Sequence, residues 1–159
     1  MDTIEQRLQR LEDEAAIRTL VARFADAAVL ADYEAFRSLW TTNGKWTIHE
    51  PFLMSAEGAE NINEMLRQLR KGRAFFAQFV HSGIITITGN KANSRWIIHE
   101  ESEGPANVFY NNFGVYLDHL ERTIEGSWQF VSRDYHYMWL DTEAFPGEPL
   151  MLPFMKGEI

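Results

Sequence analysis

Two residues on neighbouring strand-like segments have the types that acid–base chemistry needs. Residues 79–87 and 92–102 flank a turn that contains Gly89, and two such segments predict an antiparallel hairpin. Read with a period of two, the first segment places His81 on an apolar face and the second places Glu100 on an apolar face. Folding the segments together brings both side chains to neighbouring points of one surface. A histidine supported by a carboxylate can remove a proton from a substrate.

Three polar residues on later strand-like segments are candidates for substrate binding. Asn111 falls on the apolar side of its segment, where an amide requires a partner, either a ligand or a group of a neighbouring strand. Tyr137 lies in the last segment, of which one face must line any cavity. Arg133, in the same segment, could bind a substrate or form an ion pair at the rim of the sheet.

The elements that must position these residues follow one another in a simple order. Thr3 and Gln6 match a capping box, which predicts a helix that starts there and continues, in one piece or two, to about residue 28. A short helix capped by Asp32, one strand, a third helix and four long antiparallel strands follow. This order predicts an α+β fold, in which helices pack on one face of a curved antiparallel sheet and enclose a pocket for a small molecule.

Bulk composition excludes several functional classes. A chain of 159 residues predicts one domain, 1–159, in which 142–159 is an extended C-terminal tail that packs on the body. A net charge of −8 argues against nucleic acid and anionic membrane surfaces as partners. The absence of cysteine excludes disulfides, a thiol nucleophile and thiolate metal sites, and no other metal site is expected. Neither a signal peptide nor a membrane span is evident, so we expect a cytoplasmic protein.

Several short patterns, together with the order of elements, resemble the SnoaL-like group of the NTF2-like superfamily. The patterns are Ala15-Ala16-Ile17, the segment from Asp32 to Trp40, residues 44–48, His81 at the opening of a strand, and residues 126–133. The resemblance covers essentially the whole chain and implies the NTF2-like cone. Known members of this superfamily include dehydratases, a dehydrochlorinase, cyclases, isomerases, an epoxide hydrolase and binding proteins without activity.

The resemblance also implies roles for individual residues. In the dehydratase and dehydrochlorinase members, a histidine at the position of His81 is the base, and an aspartate of the long N-terminal helix is its partner. Val29 occupies the position of that aspartate. Glu100, which matches an aspartate of one dehydratase, or Asp26, one helical turn from Val29, would have to replace it. Arg133 matches an arginine of the dehydrochlorinase.

We therefore expect a dehydratase-like lyase or isomerase that needs no cofactor and acts on a small, mostly apolar molecule. His81 would be the base, with Glu100 or Asp26 orienting it. The expected substrate contacts are Arg133, Tyr137, Asn111, Val29 and Phe24. The alternative is a non-catalytic small-molecule-binding protein that has lost the histidine–aspartate pair, which Val29 favours. The resemblance further implies a homodimer or homotrimer.

Overall fold

The computed structural model describes residues 3–143, which form three α-helices and one six-stranded sheet. The helices are α1 (Ile4–Leu30), α2 (Tyr33–Ser38) and α3 (Ala59–Arg70). The strands are β1 (Trp40–Ile48), β2 (Met54–Glu57), β3 (Phe75–Thr88), β4 (Lys91–Glu103), β5 (Phe109–Arg122) and β6 (Trp128–Asp141). The predicted α+β class is confirmed. Residues 144–159, most of the predicted tail, lie outside the described residues, so its packing stays a prediction.

The helix boundaries follow from their capping residues. Gln6 N donates to Thr3 Oγ1 at 3.2 Å and Thr3 N donates to Gln6 Oε1 at 2.9 Å, which forms the predicted capping box. The helix that follows, α1, is continuous. Ala35 N donates to Asp32 Oδ1 at 3.0 Å and caps α2, as expected. None of the helices within residues 3–143 combines the length and apolarity that a bilayer crossing requires.

The sheet has the strand order β2-β1-β6-β5-β4-β3. Among the strands of the described chain, only β1 and β6 pair in parallel, and the four long strands are joined antiparallel in sequence order. The helices pack on one face of this sheet. Asp13 ties α1 to the sheet, because its carboxylate accepts hydrogen bonds from Trp128 Nε1 at 3.0 Å and from Arg122.

An aromatic cluster fills the space between the helices and the first strands. Phe24 of α1 packs on Phe36 of α2, with ring centroids 4.8 Å apart. Trp40, Trp46 and Phe130 surround them, mostly in tilted or edge-on arrangements that aromatic rings prefer. All five side chains are buried. The cluster therefore fixes α1 and α2 against β1 and β6.

A β-bulge in β3 decides which of its side chains face the helices. Val80 pairs with Ile98 and Gly83 pairs with Trp96, so β3 carries one residue more than β4 between these pairs. The inward face changes from even to odd numbers across the bulge, and His81 lies within it, exposed. A Cβ at Gly83 would lie 2.0 Å from the Trp96 ring, so this close approach requires glycine.

Candidate active site

A cavity of about 270 Å³ lies between the helices and the inner face of the sheet. Much of its wall is apolar and comes from α1, α3 and the first three strands: Phe24, Trp46, Ile48, Met54, Leu66 and Phe76. Polar side chains enter from β3, β4, β5 and β6 and from the end of α3. A mainly apolar cavity with a few converging polar groups is the usual form of a small-molecule site.

The main polar feature is a row of three side chains across adjacent strands. Gln78 on β3 pairs with Glu100 on β4, which pairs with Asn112 on β5. Gln78 Nε2 donates to Glu100 Oε1, and Asn112 Nδ2 donates to Glu100 Oε2 at 3.0 Å. Both carboxylate oxygens are therefore held by amide donors. The structure places Glu100 at the cavity, on the face that the sequence pattern predicted.

Three tyrosines surround this carboxylate. The hydroxyl of Tyr135 accepts a hydrogen bond from Asn112 Nδ2 at 2.5 Å. Burial, followed by the negative charge of Glu100, raises the pKa of Tyr135 far above its ordinary value. The same two causes, in the same order, raise the pKa of Tyr116 and of Tyr137. The phenols thus keep their protons at neutral pH and are available as hydrogen-bond donors.

Two arginines form another polar region of the wall. Arg70 Nη2 donates to the carbonyl oxygen of Val29 at 3.2 Å. Arg73 Nε donates to the carbonyl oxygen of Leu69 at 2.5 Å, and its Nη1 donates to Ser102 Oγ at 2.7 Å. Burial lowers the pKa of Arg70, and the charge of Arg73 lowers it further. The protein thus holds two guanidinium groups at the cavity through uncharged acceptors.

The predicted meeting of His81 with Glu100 does not occur. His81 is exposed on the outer face of the sheet, where its ring stacks near that of His99 with centroids 6.3 Å apart. It does not line the cavity. The prediction was wrong because it carried a strict alternation through the bulge in β3. Asp26 is exposed on α1 and does not line the cavity either, so it cannot serve as the partner.

Arg133 is buried but is not a cavity residue. Its Nε donates to Asp118 Oδ1 at 2.9 Å, and the guanidinium lies 3.9 to 4.5 Å from the ring centroids of Phe24, Tyr116 and Phe130. Burial raises the pKa of Asp118, and the charge of Arg133 opposes that shift. The predicted substrate contact is therefore a structural ion pair inside the core.

The remaining predicted contacts divide into two groups. Tyr137 and Phe24 line the cavity. Asn111 instead lies on the outer face, where its Oδ1 accepts a hydrogen bond from His99 Nε2 at 3.0 Å. β5 turns Asn112, not Asn111, towards the helices, so the predicted face was shifted by one residue. Val29 contributes its backbone carbonyl to Arg70, but it does not line the cavity.

Several cavity residues were not recognised from the sequence. Gln78 and Asn112 follow from the register of Glu100, because they are its direct neighbours across the sheet. Arg70 and Arg73 lie at and just beyond the end of α3, where basic residues are also common because they offset the helix dipole, so their local pattern does not indicate a cavity role. Within residues 3–143, no group of three or more histidine, aspartate or glutamate side chains is placed to hold a metal ion.

The SnoaL-like domain family matches the sequence over residues 9–134, which is most of the chain. The protein belongs to the SnoaL-like family. No curated protein matches the sequence. The family assignment agrees with the curved six-stranded sheet and N-terminal helices, and it confirms the resemblance seen in the sequence.

Solved structures with the same fold support this membership. The hexachlorocyclohexane dehydrochlorinase LinA-type3 from Novosphingobium barchaimii LL02 has a TM-score of 0.81 at 17% identity, covering 92% of this chain and 99% of its own. A scytalone dehydratase-like protein from Novosphingobium aromaticivorans DSM 12444 has a TM-score of 0.76 at 13% identity, covering 88% and 93%. An NTF2-like protein from Novosphingobium aromaticivorans has a TM-score of 0.73 at 25% identity, covering 87% and 92%. Likenesses at these identities show the fold.

Proposed function

We propose that this SnoaL-like protein is a dehydratase-like lyase or isomerase in which Glu100 transfers the proton. One observation carries the proposal: the carboxylate of Glu100 faces a mainly apolar cavity, and both its oxygens are fixed by amide donors. A carboxylate oriented in this way is a suitable general base for a C–H proton. Two of the similar folds bear the names of a dehydrochlorinase and a scytalone dehydratase, which are elimination catalysts, and this agrees with the reaction class.

The proposed elimination needs one acid–base group and one hydrogen-bond donor. Glu100 takes the proton from the carbon next to the one that carries a hydroxyl group, and the C–H electron pair forms the new double bond. The C–O bond breaks, and the leaving oxygen receives the same proton from the Glu100 carboxyl, so that water departs and the carboxylate is restored. Tyr137 donates a hydrogen bond to the leaving oxygen without ionising, because its pKa is raised.

This mechanism differs from the one expected from the sequence, because Glu100 replaces His81 as the base. The reason is positional, since His81 is exposed and does not line the cavity. The same observation favours a second candidate function. The described residues that line the cavity include no histidine, which suits a protein that binds a small molecule without reacting with it.

A generic proton-abstraction probe separates the two candidates without knowledge of the substrate. Nitrobenzisoxazole opens to a coloured cyanophenolate when a base removes the C–H proton of its isoxazole ring and the N–O bond breaks, and it is small and largely apolar. Wild-type protein should open it faster than a carboxylate buffer of equal concentration. Glu100→Gln should lower that rate by about a hundredfold, within the range that general bases contribute.

Glu101→Gln is the matched control, because Glu101 is the next residue of β4 and contacts His99 on the outer face. Its rate should equal that of the wild type. Equal rates for wild type and Glu100→Gln would contradict Glu100 as the base. If wild-type protein bound aromatic ligands in the cavity but never accelerated ring opening, the binding function would be favoured.

A further inference from the structure

Arg70 and Arg73 are charged residues of the cavity wall, and residues 3–143 provide neither of them with a charged partner. Their hydrogen bonds go to two backbone carbonyls and one hydroxyl, and in the described part of the chain no carboxylate lies within ion-pair distance of either guanidinium. Positive charges held at an apolar wall are costly unless a negative group compensates them. The cavity is therefore suited to a ligand that brings this negative group.

Arg70 also has unused hydrogen-bonding capacity. Its Nε and Nη1 atoms are buried, and within residues 3–143 neither has an acceptor. Its third guanidinium nitrogen is held by the carbonyl oxygen of Val29. Buried N–H groups without acceptors are uncommon in folded proteins and often indicate a functional site. Here the residue that carries them lines the cavity, next to a second arginine.

The surroundings of the two arginines indicate what else the ligand contains. The Arg70 guanidinium lies 5.0 Å from the centroid of the Phe76 ring, and that of Arg73 lies 5.1 Å from the centroid of the Tyr110 ring. Both rings line the cavity. Most of the remaining wall is apolar, and the volume of about 270 Å³ suits one small ring system. A flat ring with one anionic substituent fits both regions of the wall, because the ring packs on the apolar side chains and the anionic group pairs with the two arginines.

We infer that the ligand of this cavity is a small aromatic or cyclic carboxylic acid, whose carboxylate binds at Arg70 and Arg73 while its ring lies among the apolar side chains. This deepens the proposed function and rests on it, since the same cavity is the site. Glu100 sets the orientation, because its negative charge repels a carboxylate. The end of the ligand that reacts is therefore the end away from the acid group. Guanidinium groups are the protein's strongest partners for carboxylates.

Calorimetric titration with a pair of matched ligands tests this inference. Naphthoate and naphthamide share a ring and a shape, but only naphthoate carries a charge. Wild-type protein should bind naphthoate about ten- to a hundredfold more tightly than naphthamide, as expected for a charge-assisted hydrogen bond. Arg70→Gln should reduce this preference to within roughly threefold, and Arg73→Gln should reduce it in the same direction.

Arg67→Gln is the matched control, because Arg67 lies one turn earlier on α3, stacks on Tyr33 and does not line the cavity. It should keep the wild-type preference. Circular dichroism of each variant verifies that the fold is intact, and Arg70→Lys provides a second variant that keeps the charge if Arg70→Gln fails to fold. Equal wild-type affinity for the acid and the amide would overturn the inference, as would an unchanged preference in folded Arg70→Gln and Arg73→Gln.

Glu100→Gln separates this inference from the proposed catalytic function. Removing the negative charge of Glu100 should leave naphthoate affinity equal or higher, whereas it should lower the rate of ring opening of the nitrobenzisoxazole probe by about a hundredfold. A protein that prefers the acid through Arg70 but never opens the probe supports the carboxylate site and contradicts catalysis. A protein that opens the probe through Glu100 but treats acid and amide alike supports catalysis and overturns the carboxylate site.

Discussion

Glu100 and Asn112 lie directly opposite each other on β4 and β5, and Asn112 Nδ2 donates to Glu100 Oε2 at 3.0 Å. The same amide nitrogen donates to the hydroxyl of Tyr135. Asn112 thus connects the carboxylate to a phenol across three adjacent strands. Because the residue is buried, its hydrogen bonds have no competition from bulk water. The position and direction of the Glu100 side chain depend on this amide.

Asn112→Leu should destabilise the protein because it removes two hydrogen bonds from buried or partly buried groups. We expect the free energy of unfolding to fall by about 1 to 3 kcal/mol, the cost of leaving such partners unsatisfied. Asn111→Leu is the control, since the neighbouring amide lies on the outer face, where its Oδ1 accepts a hydrogen bond from His99 Nε2. It should change the free energy by no more than about 1 kcal/mol. Urea unfolding measures both, and equal losses would contradict the inward orientation of Asn112.

His81→Ala should leave both ligand binding and ring opening of the nitrobenzisoxazole probe within about twofold of the wild type. The side chain is exposed and its ring contact is with His99, on the side of the sheet away from the cavity. Exposed substitutions of this kind are usually close to neutral. The measurements are the steady-state rate of ring opening and a calorimetric binding titration, each compared between the variant and the wild type. A loss of activity comparable to that of Glu100→Gln would restore His81 to the site and contradict the observed position of the bulge.

The parts of the fold that the sequence predicted are those with local signals. Thr3 and Asp32 are predictable as helix caps because each has a side-chain oxygen directly before a helical pattern. The inward direction of Glu100 follows from the sequence pattern because β4 contains no bulge opposite β5, so its alternation is regular throughout. For such elements, the local pattern and the tertiary structure agree.

The site residues that were misplaced depend on pairings between strands. His81 lies at a bulge whose position is set by how β3 pairs with β4, and the only local trace of it is the nearby Gly83. Asn111 and Asn112 are the same residue type side by side, so composition could not decide which faces inwards. Arg133 faces inwards, but Asp118 of a neighbouring strand pairs with its guanidinium and neutralises its charge. The sequence of a single strand carries no signal for such long-range pairings.

Asp118→Ala should be severely destabilising because it leaves the guanidinium of Arg133 buried without its counter-ion. The side chains of the pair are 0% and 1% exposed, and breaking such a pair costs about 3 to 5 kcal/mol. The double variant Asp118→Leu with Arg133→Met should recover most of that loss, because it removes both charges together. Denaturant unfolding of the single and double variants measures the coupling. If the losses of the single variants simply added in the double variant, the two residues would not be energetically coupled.

The exposed ion pair between Arg37 and Glu60 provides the comparison for that experiment. Its side chains are 45% and 75% exposed. Glu60→Ala should change the free energy of unfolding by no more than about 1 kcal/mol, because solvent screens such pairs. A large loss in Glu60→Ala would show that the difference between the two pairs does not arise from burial.

Gly114→Ala should displace Tyr135 from the cavity wall. A Cβ at this position would lie 2.3 Å from the Tyr135 ring, far inside van der Waals contact. Overpacking of this kind costs about 1 to 3 kcal/mol. Combining it with Tyr135→Ala removes the clash, so the double variant should lose less than the sum of the two single losses. Thermal or urea unfolding provides the measurement, and strict additivity would contradict contact between the two positions.

Stability should fall at alkaline pH because the cavity tyrosines hold their protons more tightly in the folded state. Burial, followed by the charge of Glu100, raises the pKa of Tyr116, Tyr135 and Tyr137 above the ordinary tyrosine value of about 10. Below about pH 10 the folded and unfolded states both keep these protons, so the tyrosines make their full contribution to the free energy of unfolding. Above it only the unfolded state loses them, and each tyrosine then lowers the free energy of unfolding by about 1.4 kcal/mol per pH unit.

Tyr137→Phe isolates one of these contributions. The variant lacks one ionisable phenol, so its free energy of unfolding should decline above pH 10 with a slope shallower by about 1.4 kcal/mol per pH unit than that of the wild type. Between pH 7 and 9 the two curves should run parallel, because neither state ionises the phenol there. Urea unfolding at half-unit steps of pH gives both slopes. Parallel curves through pH 11 would mean that the Tyr137 phenol ionises equally in both states. That result would contradict the raised pKa that burial and the charge of Glu100 give this phenol in the folded state.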